Sequence, residues 1–460
     1  IPHNTLHFYL SFPVKSLISP SIFFSYPSSP QNPIPRFPPL SARTEEGGEK
    51  MAEPPPTAVF LRSSRIPHDV VTDIFRQLPA EALLRFRALS KPICDLIDSY
   101  DFIQLHLSYS LRTKSHHSLI LRDWHLYTVD FDSLGAAVDL DHPLSVGGGT
   151  EAVGSVNGLV ALRNSERDLA IYNIATRKVR KLPVSEVEPP GGQHLRTGYV
   201  FYGFGYDSLN DDYKLVRMAT FVGDENASDT YNYDYEVKVY SFRSNSWKKI
   251  MDVPFYIRFL HKPLHQVLHR RGYGVLVGSA LHWVLPQRAL LGLKNYIVSF
   301  DFVAEKFDEV PQPEYENKDL SYQVDVGVLE GNLCVMCNYE HVCVDLWVMK
   351  EYGVKESWSR LFSVQKIRNT TAFGFLRPLI YAKDGNELLL EVNDEKLFWY
   401  DSKTGKARSV RILDGPRSFG AVMYVGSLIP VEDPDEVERQ RRLREDAERE
   451  KLRSENNNWG

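Results

Sequence analysis

Cysteine is scarce in this chain: of 460 residues, four are cysteine, at Cys94, Cys334, Cys337 and Cys343. So few cannot staple a chain of this length, which points to a reducing compartment, cytoplasmic or nuclear. Long hydrophobic runs are lacking too. The nearest, Phe8 to Phe24, is interrupted by Pro13, Lys15 and Pro20. No segment reaches the ~20 apolar residues of a membrane-spanning helix, so no membrane insertion is expected. Neither sign of charge dominates. The 54 basic and 59 acidic residues leave a net charge of −5, which gives no reason to expect nucleic acid as a partner.

Catalytic and cofactor signals are missing as well. There is no Gly-x-Ser-x-Gly elbow, no ordered Ser/His/Asp set and no convincing pair of carboxylates for acid–base work. The triplet Gly147-Gly148-Gly149 is followed by neither Lys-Ser/Thr nor a helical pattern, so it is not a phosphate loop. Cys334, Cys337, His341 and Cys343 invite a zinc site. However, residues 334 and 337 fall on opposite faces of a strand, and a structural site needs paired cysteines on turns. The expectation is a non-catalytic chain without cofactor or metal, its cysteines being buried free thiols.

What is present is an ordinary globular composition, 43% hydrophobic and 25% charged, with room for two or three domains. The chain is organised around Ile66 to Leu107. There Ile66, Val70, Val71, Ile74, Phe75 and Leu78 recur at helical spacing behind Pro67. Pro79 stops that helix and opens a second, with Ala82, Leu83, Leu84 and Phe86. Ser90 is a candidate N-cap for a third, with Pro92, Ile93, Leu96 and Ile97, and Asp101 to Leu107 reads as a short apolar tail. Helices this short bury too little to be stable alone. They also carry more apolar side chains than one small core needs, so another surface must cover the surplus.

This stretch resembles an F-box: Ile66-Pro67-His68-Asp69-Val70-Val71, then Leu78-Pro79, Leu83-Leu84-Arg85, Ser90-Lys91 and Leu96-Ile97. The resemblance implies docking onto a Skp-type adaptor and, through it, a cullin. The docking face it implies is Ile66, Pro67, Val70, Ile74, Leu78, Pro79, Leu83, Leu84, Phe86, Leu89, Ser90 and Lys91. Two positions depart from the pattern. Ile66 replaces the usual opening Leu, and Ile93 stands where a Trp is common, giving up aromatic area. A helical hairpin packed only on its own domain is the alternative.

Beyond Leu107 the period changes to that of strands. VGSVNGLVALRN and DLAIYNIATRKVRKLP, from Val153, set a pattern of Gly-containing turn, buried strand, a strand ending in Asp, Asn or Ser, and an outgoing strand. It recurs around YGFGYDSLNDDYKLVRM, GSALHWVL, EGNLCVMC and GNELLLEV, with a sixth unit from Leu119 to Ser133. Units spaced roughly 45 to 55 residues apart suit four-stranded propeller blades, which bury their faces only in a ring. The strands WKKI, YIVSFDF and ESWSRLFSV resemble the F-box-associated, kelch-like domain of plant F-box proteins, of the constitutive-expresser-of-PR-genes type. The expected fold is therefore α+β multidomain. A small all-α F-box of three helices at residues 61–108 precedes an all-β propeller-like domain at 115–430. Residues 1–60 are read as a disordered leader, with 1–50 either translated sequence upstream of a start at Met51 or part of that leader, and 431–460 as a charged helical or disordered tail.

Trp247, Trp283, Trp358 and Trp399 are expected at equivalent packing positions in successive units. Asp207, Asp211, Asp212, Asp301 and Asp401 are expected in turns, bonding backbone. The polar loop Asp224 to Tyr235 carries Tyr231, Tyr233 and Tyr235, the candidates for gripping a target protein. Together the two resemblances imply a substrate-recognition subunit of an SCF-type ubiquitin ligase, its target unknown. The alternative is a propeller-type protein-binding module outside any ligase.

Overall fold

The computed structural model describes residues 67–123, 125–144, 149–165, 167–189, 196–222, 233–251, 274–289, 292–315, 322–339, 343–365 and 375–432. The leader, most of the tail, His341 and Ile66 lie outside them. The described chain opens with four helices: α1 (His68–Phe75), α2 (Ala80–Phe86), α3 (Lys91–Asp98) and α4 (Tyr100–Thr113). Pro67 and Pro79 each occupy the residue before a helix, where a fixed φ costs nothing. Ser90 stands at the N-cap of α3, but its hydroxyl makes no cap bond. Ser99 does cap α4, accepting from Phe102 N at 3.3 Å.

The helix count corrects the three-helix expectation. The apolar tail after Asp101 is the first half of α4, whose buried Phe102, His106 and Ser110 recur every fourth residue. Lys114, in the left-handed conformation with φ 53°, ends it.

Six four-stranded antiparallel sheets follow. Blade 1 begins with β1 (His117–Arg122), β2 (Leu126–Asp130) and β3 (Val138–Asp139). Blade 2 holds β4 (Glu151–Val156), β5 (Leu159–Ser165), β6 (Asp168–Asn173) and β7 (Lys178–Lys181). Blade 3 holds β8 (Arg196–Asp207), β9 (Asp212–Val222), β10 (Tyr233–Ser241) and β11 (Ser246–Ile250). Blade 4 holds β12 (Val275–Val277), β13 (Ala280–Ala289), β14 (Gly292–Asp301) and β15 (Lys306–Val310). Blade 5 holds β16 (Tyr322–Leu329), β17 (Asn332–Tyr339), β18 (Cys343–Met349) and β19 (Trp358–Gln365). Blade 6 holds β20 (Leu376–Tyr381), β21 (Glu387–Val392), β22 (Lys396–Asp401) and β23 (Lys406–Val410). The last strand, β24 (Gly420–Val425), returns to pair with β1, Leu119 opposite Met423, and so completes blade 1 and closes the ring.

Each blade–blade junction carries its own apolar cluster. A blade is apolar on both faces, so it is stable only between two neighbours, which is why the ring must close. Turns set the registers. Asn157 and Gly158 both take positive φ, 53° and 82°, the geometry of a two-residue hairpin turn. At the third-to-fourth-strand turns Asn173, Ser241, Asp301 and Asp401 each accept the backbone N–H three residues on, at 3.0–3.2 Å. Asp207 does likewise with Asn210 N at 3.1 Å, whereas Asp211 accepts from Tyr206 and Asp212 from Arg243 N.

The tryptophans are not equivalent, a correction to the sequence reading. Trp247 and Trp358 lie on fourth strands, Trp283 on a second and Trp399 on a third. Cys334 and Cys337 are buried free thiols whose pKa values burial pushes up to about 12. Among the described residues no helix is long and apolar enough to cross a membrane.

Candidate functional site

The helical unit has a core of its own. Ala80, Leu83, Leu96, Ile97 and Phe102 are buried together, with Phe75 stacked on Phe86 at 5.6 Å between ring centres. Arg87 and Asp98 tie α2 to α3 at 2.6 Å. This core is sealed from the propeller side: Ala175, in the blade 2 turn, and Leu428 belong to the same cluster. Helix α4 bridges both domains, since Leu107 and Ile103 pack with Val425, Ile429 and Tyr202.

The expected docking residues divide by exposure. Pro67, Val70, Ile74, Pro79, Leu89 and Lys91 are exposed. Val70, Ile74 and Leu89 are large apolar side chains left 45%, 49% and 66% accessible, although the unit already packs on the propeller through Ala175 and Leu428. Leu78, Leu84, Phe86 and Ser90 are half-buried. Leu83 is a correction: at 0% exposure it belongs to the interior, because α2 turns it towards α3 and α4 and away from solvent. Ile93 packs half-buried against the same core, so its departure from Trp is felt in the packing there.

Sequence reasoning missed the joint between the domains. His106, fully buried on α4, donates from Nε2 to the Leu78 carbonyl at 2.9 Å, and its ring stacks on His116 at 5.8 Å. Burial pushes both imidazoles below their ordinary range, only partly offset for His106 by the Leu78 carbonyl. At the C-terminal end of α4, Lys114 reaches Glu330 in blade 5 at 2.8 Å and lies 5.9 Å from the centre of the Tyr381 ring in blade 6. Tyr100, at the other end, has its phenol pushed up by burial and, less, by the nearby charge of Asp211 in blade 3. Helix α4, ~21 Å long at 1.5 Å per residue, therefore spans first-to-second-strand turns on facing blades. The signal for it was present: 102, 106 and 110 share one helix face, as do 103 and 107.

The tyrosine candidates separate. Tyr231 lies outside the described residues. Tyr233 begins β10. Tyr235 is 5% exposed and part of the blade 3–blade 4 cluster. Strand alternation turns that ring inward, which corrects the expectation that it grips a target.

Family comparison agrees with this architecture. Residues 63–105 match the F-box domain model, and residues 131–431 match that of the F-box associated beta propeller domain. The chain is 48% identical over 366 residues to F-box protein CPR1 of Arabidopsis thaliana, covering 79% of this chain and 88% of that protein. A second Arabidopsis thaliana F-box protein is 39% identical over 368 residues, covering 79% and 90%. An F-box/kelch-repeat protein of the same plant is 26% identical over 348 residues, covering 73% and 87%.

Proposed function

The chain belongs to the plant F-box proteins that carry an F-box associated beta propeller domain, and from that premise we propose that it is the substrate-recognition subunit of an SCF-type ubiquitin ligase. One observation carries the proposal. Val70 and Ile74 on α1, and Leu89 in the turn after α2, stay exposed on a helical unit that already packs on the propeller through Ala175 and Leu428. An apolar surface that its own chain leaves uncovered fits a partner, and in this family resemblance the partner is a Skp-type adaptor, with a cullin beyond it. The docking face is Pro67, Val70, Ile74, Pro79, Leu89 and Lys91, flanked by Leu78, Leu84, Phe86 and Ser90; Ile66 joins it by resemblance alone.

The target is held by the propeller. Strand β9 runs from Asp212, beside α4, to Val222. At ~3.3 Å per residue its far end stands ~33 Å from the helices. β9 ends and β10 begins at that far end, so a target gripped by Tyr231, in the connection between them, is on the face turned away from the adaptor. The chain performs no bond chemistry in this reading. It raises the effective concentration of a target near the ubiquitin-charged enzyme and orients it, in cytoplasm or nucleus.

The test is co-purification of the full chain with a Skp-type adaptor, beside an Ile74→Asp/Leu89→Asp variant. The wild type should retain the adaptor and the variant should lose it, both with the same unfolding midpoint. A wild type that fails to retain the adaptor sinks the ligase reading and leaves a propeller-type binding module.

A further inference from the structure

After β24 the chain runs outward beneath blade 2. Asn173 Nδ2 donates to the carbonyls of Ser427 and Ile429, at 3.1 and 2.8 Å, and Val431 is fully buried. Glu432, at the end of this path, pairs with Lys178 at 2.8 Å. Lys178 opens β7, the outermost strand of blade 2, and among the described residues no strand lies beyond it. The described chain therefore ends at the foot of an open sheet edge.

That edge is basic. Arg177, Lys178, Arg180 and Lys181 fall within five residues, and all but the half-buried Arg180 are exposed. Lys181 stands 3.7 Å from Asp168, while Arg177 forms no ion pair among the described residues. The Arg180 guanidinium lies 4.3 Å from the centre of the Phe242 ring, so this rim reaches across to blade 3.

The chain that follows is its complement. Residues 433–438, Asp-Pro-Asp-Glu-Val-Glu, hold four acidic side chains and no basic one. Six extended residues reach up to ~20 Å, enough to pass along the ~13 Å of β7. Pro434, which lacks an N–H, is tolerated at a sheet edge. Tethered at Glu432, the segment stands at an effective concentration of roughly millimolar, so charge pairs that are individually weak suffice to hold it. We infer that the outer edge of blade 2 is a docking site for an extended acidic segment and that its occupant is the chain's own residues 433–438. Docked there, the segment also shields the edge of β7, where Val179 is 37% accessible, from pairing with another chain.

The test is a photocrosslink in the full chain. Val437→p-benzoylphenylalanine places the probe inside the segment without changing its charge. Irradiated at low concentration, it should crosslink within one chain to residues 177–184, as mapped by mass spectrometry. The yield should drop at least fivefold between about 0.05 and about 0.5 M NaCl, because salt screens exposed charges. Arg177→Glu/Lys181→Glu should lower it at least fivefold at an unchanged unfolding midpoint, and adding Asp435→Lys/Glu436→Lys should restore at least half. Should the charge reversal not fold, Arg177→Gln/Lys181→Gln takes its place, with a drop of at least twofold expected. A crosslink elsewhere in the chain, one between two chains, a yield no higher than in urea, or a yield indifferent to salt and to charge overturns the inference.

Discussion

The indole Nε1 of Trp247 donates to the carbonyl of Pro183 at 2.8 Å, joining the outer strand of blade 3 to the segment that arrives from blade 2. Two blades on, Trp358 Nε1 makes the same bond to Pro311, also at 2.8 Å. Pro183 stands two residues after the end of one fourth strand and Pro311 directly after another, so one device is used twice. At the first site it is reinforced. The Arg217 guanidinium lies 5.3 Å from the centre of the Trp247 ring and donates to the carbonyls of Ser185 and Glu186. Trp247 and Arg217 thus hold the interblade segment through its backbone alone.

Backbone recognition of this kind should tolerate changes in the strap and not in the donor. Trp247→Phe removes the N–H and is expected to cost about 1 kcal/mol. Pro183→Ala keeps the carbonyl and should stay within roughly 0.5 kcal/mol of wild type. Urea unfolding of both variants decides it; equal midpoints would show that the bond contributes nothing.

Arg217 and Glu236 form an ion pair at 2.8 Å with neither side chain exposed, and Lys238 stands 3.2 Å from the same carboxylate. Removing one partner strands a buried charge, so Glu236→Ala should destabilise by ~3–5 kcal/mol. Replacing the pair by Arg217→Met/Glu236→Leu should cost less than that single change. A double variant weaker than the single one would contradict this account.

Leu83 and Ile74 test the two sides of the helical unit. Leu83 is 0% exposed, so Leu83→Ala leaves a cavity and should cost ~2–5 kcal/mol. Ile74 is 49% exposed, so Ile74→Ala should change stability by less than about 0.5 kcal/mol. Denaturant unfolding of the free chain separates them. Similar losses would mean that Ile74 is also part of the internal packing.

Acid should weaken the fold through its buried histidines. Burial pushes His282 down to about 4, against a smaller upward pull from the carbonyls of Val275 and Ala280. His106, His116 and His117 are lowered for the same reason. In each case the unfolded chain takes up a proton first. Stability is therefore full above pH ~6.5 and falls as the pH drops towards the folded-state value, for His282 by roughly 3 kcal/mol by pH 4. The unfolding free energy of wild type between pH 7.5 and 4.5 should fall more steeply than that of His282→Asn. Parallel curves would remove His282 from the cause.

Much of the ring was legible because its signals are local. Alternation marks each strand, and Asn173, Ser241, Asp301 and Asp401 mark the same turn in four blades through one short bond each. What depends on distant chain was not legible. Strand β24 finds β1 about three hundred residues away by register, and nothing within Gly420 to Val425 announces that. Helical spacing placed Leu83 on an apolar stripe but could not say which side of the stripe faces the unit's own core. Tyr235 was read as loop because the polar run around it hides where β10 begins. His106 lay in a stretch whose helical period is obscured by its many apolar residues.

Gly205 and Phe302 show how closely blades 3 and 4 approach. A Cβ built on Gly205 would lie 2.0 Å from Phe302 Cε2, and Phe302 is 0% exposed. The ring cannot swing away freely, since the Phe302 backbone is held by Lys214 Nζ on its carbonyl at 2.7 Å and by its own N–H on the Ser279 carbonyl at 2.9 Å. Gly205→Ala should therefore cost ~1–3 kcal/mol by overpacking. Phe302→Leu alone should cost about as much, through lost volume. In the double variant the added methyl occupies part of the space the ring gives up, so its cost should be at least ~1 kcal/mol below the sum of the singles. Strict additivity in urea unfolding would mean that the two residues do not compete for one space and that the blade 3–blade 4 junction is looser than this contact requires.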